Sequence, residues 1–248
     1  MPVELAYIQR KDDGEFMSPS TYASWYGCHM LGIDTKSFTV DQIDDLELSR
    51  ETMVHGGVGM VRRALERIGV PAPSLDGMPP ESLLPLFKRR LWATTMLEVR
   101  ERLDREEWTF IKPLKRHKAF TGYVTGPSVS ALAKTAHFED DFEVLASEIR
   151  RFAVEYRLFI HYGQVLDCRM YRGDFRQSLD WSVVDAALEA FTDCPVAWSL
   201  DMGVMEDNGE TAIVEINDAL SLGSYGMPSL PYTQMVIDRW EEVVGDPK

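Results

Sequence analysis

The sequence predicts a mixed α/β protein of the α+β kind, in which antiparallel strand pairs follow a small α/β unit. Three observations predict it. Two runs of alternating residues, 153–160 and 164–171, are joined by His161, Tyr162 and Gly163, as a hairpin requires. A second pair of apolar runs, 196–200 and 211–216, is joined through the polar stretch 206–210. Ahead of both, short apolar runs alternate with helical segments.

The elements follow in order. An apolar run at residues 3–8, a helical segment at 22–31 and short strands at 37–40 and 52–55 form the first unit, residues 1–78. Val61, Leu65 and Ile68 line one face of a helix that stops at Gly69, before Pro71 and Pro73, the usual sequence of stop signals. Gly77, Pro79 and Pro80 mark a linker. A first lobe is expected at residues 79–146. In it, Leu84, Leu91, Met96, Val99 and Leu103 lie among charged residues between 81 and 105, which predicts one or two amphipathic helices broken at Pro85. A strand at 109–111 pairs with 120–125 across a basic loop, 115–118. The second lobe, residues 147–248, holds both hairpins and a helix at 183–191.

Composition bounds the function. The chain has 248 residues, enough for a sizeable core. Its 26 Lys and Arg against 40 Asp and Glu give a net charge of -14, which repels nucleic-acid phosphate and anionic membrane and argues against bulk nucleic-acid binding. The absence of a long apolar span and of a basic-then-apolar N-terminus leads to the expectation of a cytoplasmic protein. Cys28, Cys168 and Cys194 are an odd set at wide spacing, so reduced, packed thiols are expected. The five histidines are dispersed, without metal-ligand spacing.

Side chains alternate faces along a strand, so in 211–217 Ala212, Val214 and Ile216 are expected on one face and Ile213, Glu215 and Asn217 on the other. A carboxylate and an amide oxygen at a strand end suit a hard cation such as magnesium, and Asp201 ends the neighbouring run with a second carboxylate. Taken alone, such residues at strand ends are more often turn chemistry than a metal site. Lys112 leaves a buried strand before Pro113, where an ammonium can meet a phosphate as a point charge. Gly56-Gly57-Val58-Gly59 before a helix lacks the full dinucleotide spacing and any Walker lysine; glycines packing a helix on a strand are the default reading, with a substrate contact from the N-terminal unit as the alternative. Ser221-Leu222-Gly223-Ser224-Tyr225-Gly226 reads as a turn or as a loop meeting an acceptor.

In order, Phe110-Ile111-Lys112-Pro113, Glu155-Tyr156-Arg157-Leu158-Phe159-Ile160, Ser199-Leu200-Asp201-Met202-Gly203 and Val214-Glu215-Ile216-Asn217-Asp218 resemble the ATP-grasp superfamily. Within it, the chain looks most like a compact clade distantly similar to ribosomal-protein glutamate ligases. The resemblance implies two lobes clamping ATP with Mg2+. It implies Lys112 on nucleotide phosphate, Lys118 in a lid over the phosphates, and Asp201, Glu215 and Asn217 as magnesium ligands. Ser147, Glu148 and Ile149 would be the hinge meeting adenine, Glu155 would lie near ribose, and Arg157 and Arg169 near transferred phosphate or an acidic substrate. The implied reaction is ligation of a small-molecule or peptide carboxylate to an amine through an acyl phosphate. A regulatory nucleotide-binding protein or a phosphotransferase would share the same site. Two features depart from the broader family: the loop Lys115-Arg116-His117-Lys118 is basic instead of glycine-rich, and Asp201 and Glu215 are widely spaced.

Overall fold

A computed structural model describes residues 2–73, 77–115 and 119–245. The first unit is built on a three-stranded parallel sheet of β1 (Leu5–Gln9), β2 (Asp34–Phe38) and β3 (Thr52–His55), in the order β2-β1-β3. Parallel strands need crossovers, and α1 (Pro19–Leu31) links the first two. Helix α1 starts where Ser18 and Thr21 form a reciprocal capping box with Pro19 in the first turn, and stops where Gly32 turns left-handed at φ 73°. Helix α2 (Val58–Arg67) follows β3 directly. Its start is set by Gln9, whose side-chain oxygen accepts from the Gly57 amide at 2.7 Å. A Cβ on Gly56 would lie 2.5 Å from that oxygen, so the glycine loop packs on the strand.

The second body is an antiparallel sheet of β4 (Leu91–Thr95), β5 (Thr109–Pro113), β6 (Tyr123–Thr125) and β7 (Glu143–Ser147), ordered β4-β7-β5-β6. Helix α3 (Met96–Asp104) packs Met96 and Val99 against Ile111, Val144 and Ala146, and α4 (Val129–Thr135) adjoins it. The amphipathic helices expected over 81–105 resolve differently: a 3-10 helix (Glu81–Phe87), then β4, then α3. Thr94, Thr95 and Trp92 favour extended backbone, the whole run pairs with β7, and the Thr95 hydroxyl caps α3 by accepting from the Glu98 amide.

The third body joins both hairpins into one sheet. Strands β8 (Phe152–His161), β9 (Gln164–Gly173), β10 (Ala197–Met205) and β11 (Thr211–Asp218) stand in the order β11-β10-β8-β9. The β8–β9 turn places Tyr162 and Gly163 at φ 49° and 73°, the paired left-handed residues of a tight hairpin turn. One face of the sheet packs Leu158, Trp198, Leu200, Met202, Ile213 and Ile216 against α5 (Trp181–Ala190), and Leu83 and Phe87 of the 3-10 helix join this core. Each such fully buried side chain contributes about 1.5–3 kcal/mol of burial free energy.

The C-terminal helix α6 (Ser229–Val244) returns to the first body and packs on α1. A Cβ on Gly27 would fall 2.0 Å from Thr233 Oγ1 and 2.7 Å from the Ser229 carbonyl oxygen, so glycine permits the close helix crossing. Among the described residues no helix is long and apolar enough to cross a membrane. The three cysteines are free, with Cys28 buried.

Candidate active site

The polar face of the third sheet carries a charged row across all four strands. Asp201 on β10 pairs with Glu215 on β11 and with Arg157 on β8, and Arg157 pairs with Arg169 on β9. The expectation that Ile213 shares the Glu215 face does not hold. Asp201 pairs with Glu215 but Met202 pairs with Ile213, so Val214 is an extra residue in β11. The resulting bulge rotates Ile213 into the apolar core with Ile216. Glu215 and Asn217 remain on the polar face: the Asn217 amide nitrogen stands 3.3 Å from both Glu215 Oε1 and Ser199 Oγ.

Arg157 and Asp201 form a buried, two-pronged ion pair, with Nε to Oδ1 at 2.7 Å and Nη2 to Oδ2 at 2.6 Å. Glu215 lies 3.8 Å from the same guanidinium, and the Tyr225 ring covers it at 4.6 Å. Burial pushes the Asp201 carboxyl up to about 6, against the downward pull of the Arg157 hydrogen bonds. Burial also opposes the Arg157 charge, but its bonds to Asp201 outweigh that and raise it. Asp201, expected to face a cation, therefore has both oxygens engaged by Arg157. Glu155 is likewise engaged: it accepts from the Tyr171 hydroxyl at 2.8 Å and from Arg172 Nη1 at 2.7 Å. Arg169 is paired with Asp167 at 2.7 Å on its own strand.

Between the second and third bodies lies a cleft of about 900 Å³. Lys112 from β5, the 147–149 segment after β7, Glu155 from β8 and Glu215 from β11 all line it. One part of the wall is apolar, made by Leu91, Trp108, Phe110, Val124 and Leu145, and Trp108 is 60% exposed. The other part is charged. Arg157, Arg169, Asp201 and Asn217 lie outside this lining, while Lys118 lies outside the described residues. Of the basic loop, Lys115 is described and pairs with Glu143 at 2.7 Å.

Sequence reasoning did not single out Arg89, Arg150, Arg151 and Arg172, which among the described residues join Lys112 as five basic groups along the cleft. The pairs Arg89-Arg90 and Arg150-Arg151, in a chain with a net charge of -14, were the available signal. Arg89 donates from Nη1 to the Ile213 carbonyl and from Nη2 to the Val214 carbonyl, both at 2.7 Å. Burial lowers its guanidinium to about 10, with Glu215 pulling it back up.

Among the described residues no three His, Cys, Asp or Glu side chains converge on one metal position. The donor chemistry of Glu215 and Asn217 still suits magnesium, which takes one or two protein oxygens and completes its shell with phosphate and water. Glu215 is the accessible carboxylate of the row, its side chain 39% exposed against 2% for Asp201.

No curated protein matches the sequence. The fold is similar over 95% of this chain and 99% of the other to D-cycloserine synthetase DcsG, at 15% identity and a TM-score of 0.59. It is similar to D-alanine–D-alanine ligase from Bacillus anthracis complexed with ATP, over 98% of each chain, at 15% identity and a TM-score of 0.57. Macrocyclase MdnC from Microcystis aeruginosa MRC, bound with the precursor peptide MdnA, aligns over 100% of both chains at 13% identity and a TM-score of 0.53. Residues 86–235, which carry both four-stranded sheets and most of the cleft lining, match the family described as ATP-grasp domain, R-2-K clade family 2. The chain belongs to this family of ATP-grasp domains.

Proposed function

We propose that the protein is a magnesium-ATP-dependent ligase joining a carboxylate to an amine, on a small molecule or a peptide, by way of an acyl phosphate. The observation that carries this reading is the cleft itself: an apolar wall at one part, basic groups and an accessible carboxylate at the other, in a chain of the ATP-grasp family. In this reading, the purine lies against Trp108, Phe110 and Leu145 and meets backbone of the 147–149 segment. Glu155 stands toward the ribose. Lys112, Arg150, Arg151 and Arg172 offset the charge of the phosphates, while Arg89 gives both its Nη atoms to the β11 carbonyls.

Glu215 and Asn217 would hold magnesium, which supplies positive charge to the phosphate oxygens. Asp201 belongs to the same acidic edge through Arg157, which it fixes in orientation. The reaction proceeds in two displacements. A carboxylate oxygen of the substrate attacks the γ-phosphorus of ATP, the bond to the β-phosphate oxygen breaks, and ADP leaves. An amine then attacks the acyl carbon, inorganic phosphate departs, and the nitrogen loses a proton to form the amide. The chain's part is alignment and charge neutralisation, which account for most catalysis of phosphoryl transfer. Arg157, which lies beside Gly223 of the loop 221–226, would meet the acidic acceptor, with Arg169 one strand away.

Incubation with ATP, magnesium and pooled metabolites or peptides, followed by mass spectrometry, tests this. The expected result is ADP and phosphate together with a product lighter by one water than its two precursors. A phosphorylated product without any amide would replace the ligase by a phosphotransferase.

A further inference from the structure

The bulge in β11 creates a problem that another segment solves. An extra residue in a strand leaves ladder groups without partners, and buried carbonyls need them. Here the Ile213 and Val214 carbonyls accept from the two Nη atoms of Arg89, each at 2.7 Å, across more than a hundred residues of sequence. Only a guanidinium presents two donors in a fixed fork; an ammonium cannot reproduce that geometry. The Arg89 group is itself held, 5.2 Å from the Phe87 ring centre and 5.9 Å from that of Phe152. The preceding residue, Lys88, ties down the start of the same strand by pairing with Glu210 at 3.0 Å.

The residue immediately after the clamped carbonyls is Glu215. Without the bulge, alternation would put Glu215 and Ile213 on one face; with it, Ile213 is buried and Glu215 and Asn217 stay on the polar face. We infer that Arg89 is a positioning residue for the metal-holding edge: by gripping both bulge carbonyls it sets the phase in which Glu215 and Asn217 present their oxygens. This rests on the reading of Glu215 and Asn217 as the magnesium site.

The test is calorimetric binding of Mn2+ in saturating ADP, and of ADP alone in EDTA, to the full chain and to its Arg89→Gln, Arg89→Lys and Glu215→Ala variants. Arg89→Gln should weaken Mn2+ by about tenfold or more, the scale of an outer-shell loss at a metal site. Arg89→Lys, which keeps the charge but not the fork, should lose less, and ADP binding in EDTA should be unchanged in both. Unaltered Mn2+ affinity in Arg89→Gln overturns the inference. So does an equal loss of metal-free ADP binding, which marks a fold-wide defect. Where Arg89→Gln fails to fold, Arg89→Lys carries the same comparison. Glu215→Ala separates the levels: if it spares Mn2+ binding, the metal-site reading falls and the clamp with it; if it removes Mn2+ binding while Arg89→Gln does not, the clamp alone falls.

Discussion

Replacing Asp201 by alanine leaves the Arg157 guanidinium buried without its two-pronged partner. Arg157 has 8% of its side chain exposed and Asp201 2%, so water replaces little of the lost carboxylate. Breaking one side of a buried ion pair costs about 3–5 kcal/mol. Glu215, 3.8 Å away and on the accessible side, offers partial compensation and puts the loss near the lower end, about 3 kcal/mol. The reverse change, Arg157→Met, differs in pH dependence because the stranded carboxylate can take a proton. Its folded-state pKa, already pushed up to about 6 by burial with the arginine present, then lies above the unfolded value. Stability is therefore fuller in acid and falls as pH rises through the folded pKa. Asp201→Ala has no such recovery, since arginine stays charged. The double variant Arg157→Met/Asp201→Leu should approach the parent, because two apolar groups replace a desolvated pair. Urea unfolding followed by tryptophan fluorescence of the parent, Arg157→Met, Asp201→Leu and the double variant, read as a double-mutant cycle, measures the coupling. A double variant as unstable as Asp201→Ala, or an Asp201→Ala loss below about 0.5 kcal/mol, refutes the argument.

Two other outcomes follow from buried features outside the cleft. Gly27→Ala forces a methyl against Thr233 and the Ser229 carbonyl; overpacking of about 1–3 kcal/mol exceeds the gain in helix propensity, and a thermal scan should show a midpoint lower by about 2–8 °C, an unchanged midpoint contradicting the close crossing. His55 is 1% exposed, and burial pushes it down to about 4 from an ordinary 6.5. Its contribution is thus complete above pH 6.5 and is lost as pH falls through about 4, a total near 3 kcal/mol. The stability difference between the parent and His55→Gln should change by about that amount between about pH 7 and pH 4, and a pH-independent difference would remove the buried neutral imidazole from the account.

The hairpins were legible because their signals are local: alternation along 153–160 and 164–171, and Tyr162-Gly163 in a turn that demands positive φ. The family was legible from the order of four short motifs. Strand β4 was not, because Leu91–Thr95 sits between charged segments and owes its extended form to pairing with β7, where Leu91 meets Ser147. Nor was the β8–β10 pairing that fuses the hairpins and sets Asp201 against Arg157. The bulge at Val214 left no glycine or proline as a marker, and the Arg89 contacts that accompany it are equally non-local. The three candidate metal ligands thus stay neighbours on one face and differ in access: Glu215 lines the cleft, Asn217 stands beside it, and Asp201 gives both oxygens to Arg157.

In the proposed function the cleft binds ATP with a metal held at Glu215 and Asn217. Calorimetric titration of ATP, with and without Mg2+, into the parent chain and Glu215→Ala tests it most directly. The account predicts that Mg2+ strengthens ATP binding to the parent and that Glu215→Ala loses this increment while still binding ATP in EDTA; an identical Mg2+ increment in both chains would contradict it.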